Sequence, residues 1–272
     1  MKGEKTDSTT RHAVISLLTD FGGRDGYVGI MKGVILAINP LVALVDLSHE
    51  IDPGDIDSAA FVLARSYRYF PPGTIHVVVV DPGVGSGRRI LAVESKNYYF
   101  IAPDNGVLKW IFANDPGAHV ISVTRKEYFL ANVSNTFHGR DIFAPVAAHL
   151  AQGVPLANFG DPIDDYDKGN IHKPLKSGNK VTGSVIYIDR FGNLITNIAA
   201  DEIAGKNKIA RISIAGHAVA RIADSYSQVQ PGEILALIGS HGNLEIAQRD
   251  GSAAAKLNIS VGTPVTVHFT ES

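Results

Sequence analysis

Thr74-Ile75-His76-Val77-Val78-Val79-Val80-Asp81-Pro82-Gly83-Val84-Gly85 is the stretch on which the fold turns. Thr74 to Val80 is a strand of nearly continuous Val and Ile, with no polar alternation, so both of its faces are buried. A strand of that kind belongs to a parallel or mixed sheet covered by helices on each side. Working outward, Val14 to Thr19 is a second such run, ending abruptly at Asp20-Phe21-Gly22-Gly23. From Tyr27 the period becomes helical through Val28, Met31, Ile35 and Ile38, until Asn39-Pro40 stops it. Leu41 to Leu47 reads as a strand, Asp55 to Tyr69 as a helix, Ile90 to Val93, Tyr98 to Ala102 and His119 to Val123 as strands, and Asp141 to Gln152 as a helix.

After Asp161 the composition changes. A polar, breaker-rich tract runs from Asp164 to Lys180, and beyond it the strands are short and the turns frequent. Strands are expected at Val181 to Asp189, Lys208 to Ile214 with a turn at Ala215-Gly216, Ile234 to Ile238, Leu244 to Ala247 and Val265 to Phe269. The expected organisation is a flexible N-terminal extension (1–13), an α/β domain with a central, mostly parallel sheet (14–165), a linker (166–180) and an antiparallel β domain (181–272).

Composition narrows the chemistry. The 272 residues carry 25 Lys and Arg against 27 Asp and Glu, a formal charge of −2 that gives no global basic field for a nucleic acid or an anionic membrane. The absence of cysteine removes disulfides, thiolate nucleophiles and Cys-ligated metals. Met1 to His12 lacks the apolar stretch of a signal peptide, and no segment approaches the ~18 apolar residues that span a bilayer. A cytoplasmic protein is expected.

Ligands of open α/β sheets bind at the carboxyl ends of the strands. Three strands there run into aspartates: Asp20, Asp81 and Asp104. Aspartate is also a common turn and cap residue, but three at one edge make a carboxylate-lined crevice suited to a cation, a ribose diol or a metal ion. Asp81 to Arg89 lacks the Walker lysine and does not open onto a helix, so its glycines serve to bring Asp81 and Arg88 to one spot. In Thr136-Phe137-His138-Gly139-Arg140-Asp141, Asp141 sits where an N-cap is expected, and His138 is free to face the crevice as a proton-transfer group. Asp189-Arg190-Phe191-Gly192-Asn193 reads as a tight hairpin loop with Gly and Asn at positive φ, or as an aromatic ring and amide for a flat heterocycle; Ser240 to Ala247 carries the same two readings.

Leu18-Thr19-Asp20-Phe21-Gly22, Val80 to Gly85 with Arg88, Ala102 to Gly106, Thr136 to Asp141 and Asp189 to Asn193, in that order, resemble the S-adenosylmethionine hydroxide adenosyltransferase family, related to fluorinase and chlorinase. The resemblance covers about Val14 to Phe269. It implies trimers whose sites lie between subunits, no cofactor, and S-adenosylmethionine plus water giving adenosine and L-methionine. Asp81, Arg88 and His138 match the triad that holds and activates water. Asp20 would bind the ribose hydroxyls, Asp25 and Asp189 the methionine ammonium, Phe191 and Asn193 the adenine, and Ser240 the methionine carboxylate, with Phe137, Glu245 and Ala253 completing the substrate set. The halogenating relatives carry Tyr at the position of Asp81 and Tyr-Ser at His138-Gly139, so the hydroxide branch is implied. His241 stands where fluorinase has an Arg, and Gly54 where it has a Trp. Two other classes stay open on the residues alone: a metallohydrolase using Asp20, His49, Asp81, His138 and Asp141, and a non-catalytic binder of adenosyl compounds.

Overall fold

The computed structural model describes residues 13–204, 209–219 and 222–270. The expected N-terminal extension, apart from Ala13, and Lys208 of an expected strand lie outside the described residues. Two compact units result, one through Asn170 and one from Ile171.

The first unit is a seven-stranded sheet between two helical layers. Its elements are β1 (Val14–Thr19), α1 (Tyr27–Ile38), β2 (Ala43–Ser48), α2 (Ile56–Ser66), β3 (Ile75–Val79), β4 (Ile90–Ser95), β5 (Tyr98–Pro103), α3 (Lys109–Asn114), β6 (His119–Val123), α4 (Ala144–Ala151) and β7 (Gly160–Pro162). The spatial order is β2-β1-β3-β5-β4-β6-β7. β2, β1, β3 and β5 are parallel, and every pairing beyond β5 is antiparallel. Both faces of β3 are covered: Val77 and Val79 pack with Met31 and Ile35 of α1 and Val146 of α4, while Val78 and Val80 pack with Leu63 of α2 and Ile111 of α3. That double burial is why the strand reads as continuous Val.

Several boundaries differ from expectation for physical reasons. Leu41 is 71% exposed and precedes β2. α2 begins after Asp55, whose side chain caps Ser58 N–H at 2.9 Å, and its last turn tightens to a 3-10 turn over Tyr67–Tyr69. The helix expected from Asp141 starts as a π-helical turn, Gly139–Phe143, before α4, so Asp141 lies inside it rather than at its cap. α3 and β7 were not expected; both are too short for a period to declare itself.

The second unit contains β8 (Leu175–Ser177), β9 (Lys180–Ile188), β10 (Leu194–Ala199), α5 (Ala200–Ile203), β11 (Ile209–Ile214), β12 (His217–Val219), β13 (Ile222–Ala223), β14 (Ile234–Ile238), β15 (Asn243–Gln248), α6 (Ala253–Leu257) and β16 (Pro264–Phe269). The order is β12-β11-β16-β9-β10-β15-β14-β13, with β8 also on β9, and the pairings are antiparallel except β13 with β14. Part of the stretch expected as linker is therefore a hairpin, β8 turning into β9 through Gly178 at φ +54°. Its core gathers inward residues of β9, β10, β11, β15 and β16, such as Val185, Leu194, Ile212, Ile246 and Val267.

Candidate active site

Because β1, β3 and β5 are parallel, Asp20, Asp81 and Asp104 all leave the same edge of the sheet. β4 runs the other way beside β5, so its first residues also start at that edge, and Arg88 and Arg89 precede Ile90 there. Topology thus turns two separate sequence motifs into one site.

Arg88 is the hub. Its Nε donates to Asp81 Oδ1 and Oδ2 at 2.8 Å each, and its Nη2 also reaches Asp81 Oδ2. The same Nη2 lies 2.9 Å from His138 Nδ1. With side chains only 10% and 4% exposed, Arg88 and Asp81 are a buried pair rather than a surface one. A guanidinium can only donate, so His138 Nδ1 is the acceptor and the neutral ring carries its hydrogen on Nε2. Burial, then the positive charge of Arg88, lowers the His138 pKa, against Asp81, Asp141 and a Ser134 backbone hydrogen bond that raise it.

Two glycines bring the loops together. Gly85 has φ +77°, and a Cβ there would lie 2.3 Å from the Asn135 carbonyl oxygen, so only glycine lets the 81–88 loop close on the loop carrying His138. Gly54, at φ +75°, donates its N–H to Asp20 Oδ2 at 2.8 Å, and its missing Cβ faces Pro82. Asp20 is thereby joined to the same cluster.

Asp104 belongs to the edge but not to the chemistry. It takes Arg89 Nε and the Asp167 N–H, each at 2.8 Å, and so pins the chain near the end of the unit. Asp141 is fully buried and accepts from Ser134 N–H and Oγ at 2.8 Å and from Arg140 Nε at 2.6 Å. Burial alone would raise its pKa; Arg140 and Ser134 outweigh that and lower it. Asp141 is therefore the internal anchor of the 134–141 loop, not a helix cap. Phe137 meets Phe21 and Tyr27 edge-on at 5.9 and 5.2 Å, lining a cavity of about 380 Å³ together with Ser134, Thr136 and Arg140. Asp25 is exposed in the turn before α1 and does not line that cavity.

The second unit holds a cavity of about 880 Å³ lined by Asp189, Phe191, Asn193, Ser240 and Glu245, five of the expected substrate residues. The 189–193 segment is the hairpin loop joining β9 to β10. Asp189 Oδ1 accepts the N–H groups of Phe191 and Asn193, and Oδ2 the Asn193 amide, all at 2.9 Å. Only Gly192 has positive φ, +80°, and its missing Cβ admits Ser252; Asn193 does not share that conformation. Phe191, freed by this turn, is 76% exposed. Ala253 is fully buried as the first residue of α6 and packs in the core, so its side chain is not brought to the cavity.

Tyr226 was missed by sequence reading. Its Oη donates to Glu245 Oε1 at 2.6 Å, and both line the same cavity. The signal was an aromatic residue alone in the polar run Asp224 to Gln228. Burial raises the pKa of Glu245, Asp189 adds to this, and Tyr226 and His241 oppose it. Burial and the Glu245 carboxylate likewise raise that of Tyr226.

The five side chains of the metallohydrolase reading are otherwise engaged. His49 sits 2.9 Å from both Thr19 Oγ1 and Asp46 Oδ1, and Arg88 occupies the space between Asp81 and His138. Among the described residues no group of three or more His, Asp or Glu is placed to hold a metal ion.

The sequence matches the SAM hydroxide adenosyltransferase N-terminal domain over residues 15–160 and the C-terminal domain of the same family over 183–266. A relative named (R)-S-adenosyl-L-methionine hydrolase, from Salinispora tropica, is 35% identical over 93% of this chain and 97% of its own. A fluorinase from Actinoplanes sp. is 28% identical over 93% and 97%. A crystal structure of an uncharacterized conserved protein from Thermotoga maritima superposes with a TM-score of 0.87 at 38% identity, covering 93% of this chain and 99% of that one. With both domains matched in order across the two units just described, the chain belongs to the SAM hydroxide adenosyltransferase family.

Proposed function

We propose that the protein hydrolyses S-adenosyl-L-methionine, water attacking the ribose 5′ carbon to give adenosine and L-methionine. The observation that carries this is Arg88 bound at once to Asp81 and His138. Attack at carbon expels a neutral thioether from a sulfonium, so the leaving group needs neither proton nor metal. What the site must do is hold one water in line, and positioning of that kind supplies roughly 7–11 kcal/mol.

The residues divide that work. Arg88 stabilises the developing hydroxide charge. His138 Nδ1 is spent on Arg88, which fixes the ring neutral and sets its orientation beside the nucleophile. Asp81 Oδ1 takes one N–H from Arg88 and keeps a second lone pair, so its carboxylate is the acceptor for the proton that water loses. Asp20, held by Gly54, would take the ribose hydroxyls, and Asp189, Phe191, Asn193, Ser240 and Glu245 the adenosyl and methionyl groups.

The same proposal makes the protein a cytoplasmic homotrimer. α1 supports the assembly: it is apolar nearly all round, yet only Met31 and Ile35 are buried, while Tyr27, Ile30 and Leu36 are more than 40% exposed. A helix of that composition is ordinarily covered on every side. Among the described residues no helix is long and apolar enough to cross a membrane. The hydrolase relative is named for the R configuration at sulfur, and we extend that preference to this chain.

The test is incubation of chelator-treated protein with each sulfonium epimer in oxygen-18 water, followed by mass spectrometry. Label in adenosine, unlabelled methionine and faster consumption of the R epimer are expected. Unconverted substrate, with or without added chloride or fluoride, overturns the hydrolase reading in favour of a binding protein.

A further inference from the structure

Glu245 is a carboxylate where the fold makes its charge expensive. The residue is 4% exposed, on β15 between β10 and β14, and its Oε2 lies 2.5 Å from where a Cβ on Gly239 would sit. Oε1 is held by Tyr226 at 2.6 Å, a neutral donor that orients the group without cancelling its charge. Of the side-chain charges acting on it, Asp189 is like-signed and raises its pKa, while His241 opposes. All four line one cavity of about 880 Å³. A neutral heterocycle or a hydroxyl entering that cavity would leave the carboxylate uncompensated, whereas a cation would compensate it.

We infer that Glu245 is the charge-selecting residue of the substrate pocket, giving preference to the cationic methionyl end of S-adenosylmethionine over a neutral nucleoside. This rests on the proposed function and adds to it a means of product discrimination. The substrate carries a sulfonium and an ammonium; the product adenosine carries neither. Burial and Asp189 already hold the Glu245 pKa up, so the ionised carboxylate gains most from an arriving positive charge. Tyr226 is a positioning residue: its hydroxyl holds Oε1 and so fixes the carboxylate in the cavity wall.

The test is Glu245→Gln, which keeps the shape and an acceptor for Tyr226 while removing the charge. KM for S-adenosylmethionine and Ki for adenosine are read from initial rates, and both affinities also by calorimetry, so that an enzyme without turnover fails the functional proposal but still reports on this one. The variant is expected to bind S-adenosylmethionine about 10- to 100-fold more weakly while its adenosine affinity stays within about twofold. The retained adenosine affinity shows that the pocket is folded. S-adenosylhomocysteine, which keeps the ammonium and lacks the sulfonium, separates the two cations: it weakens with the substrate if the ammonium is read and resembles adenosine if the sulfonium is. Tyr226→Phe leaves the charge and is expected to preserve most of the preference. Equal weakening of substrate and adenosine in Glu245→Gln, no change in either, or loss of the preference in Tyr226→Phe as large as in Glu245→Gln overturns the inference.

Discussion

Gly85→Ala tests whether the docking of two loops creates the site. At φ +77° an alanine is strained by about 1–2 kcal/mol. Its Cβ would also lie 2.3 Å from the Asn135 carbonyl oxygen, a backbone atom with no rotamer to yield. Ordinary contact requires the loops to part by about 1 Å or more. Arg88 follows Gly85 by three residues and His138 follows Asn135 by three, so the parting falls on the 2.9 Å contact between them. A misplacement of that size costs on the order of 10²-fold in rate. With strain and overpacking together at about 2–4 kcal/mol, Tm should fall by about 5–15 °C for a unit of this size. Gly87→Ala is the control, since a Cβ there meets nothing within 4 Å. Adenosine formation, assayed well below the lowered Tm, should drop about 100-fold in Gly85→Ala and be little changed in Gly87→Ala. Full kcat in a destabilised Gly85→Ala would refute the claim that this close approach sets the catalytic geometry.

Arg88→Lys keeps the charge but offers no planar fork for both Asp81 oxygens and His138, so kcat should fall by about 10²–10⁴-fold with KM little altered in steady-state assays. The His138 pKa is lowered and its neutral form is the one bound to Arg88, so the acid limb of the kcat profile should lie below pH 6.5, activity being lost as pH falls through the lowered value. His76, fully buried against Phe100 with Nδ1 2.6 Å from Ser16 Oγ, has its pKa lowered by burial to about 3. The unfolded chain therefore binds a proton below pH 6.5 that the folded one refuses. Stability should decline from pH 6.5 downward by about 1.4 kcal/mol per unit, roughly 4–5 kcal/mol in all, and denaturant melts of His76→Phe should lack that one-proton slope.

Much of the first unit was legible because its strands are buried on both faces. β3, β1 and α1 announce themselves by Val79, Leu17 and the Met31–Ile35 spacing, and the observed spans follow. Where local side-chain bonding competes with helix geometry, the reading fails. Asp141 looks like a cap because it precedes an apolar helix, yet its carboxylate turns back to Ser134, seven residues earlier, and the chain enters α4 through a π turn. Asn193 looks like a left-handed turn residue, but its amide is bonded to Asp189, and glycine alone takes the positive φ. In both places a side-chain hydrogen bond within the loop outranks the intrinsic preference that spacing reports.

The direction of β4 is the deeper reason that motifs and site are not the same information. Asp81 and Arg88 are seven residues apart, a spacing equally compatible with a surface ion pair in a mobile loop. They are buried together because Asp81 follows the parallel strand β3 while Arg88 precedes β4, which runs antiparallel to β5, so one chain end and one chain beginning meet at one edge. Hydrophobic period carries burial but no strand direction. His138 reaches the same point by a third route, from a loop whose approach depends on the missing Cβ of Gly85. Once the three are together, the guanidinium settles the protonation: a donor-only group against Nδ1 requires a neutral ring. The acid–base roles thus come from what Arg88 touches, and any substitution that keeps the three residues but lets Arg88 turn away should abolish hydrolysis as completely as deleting one of them.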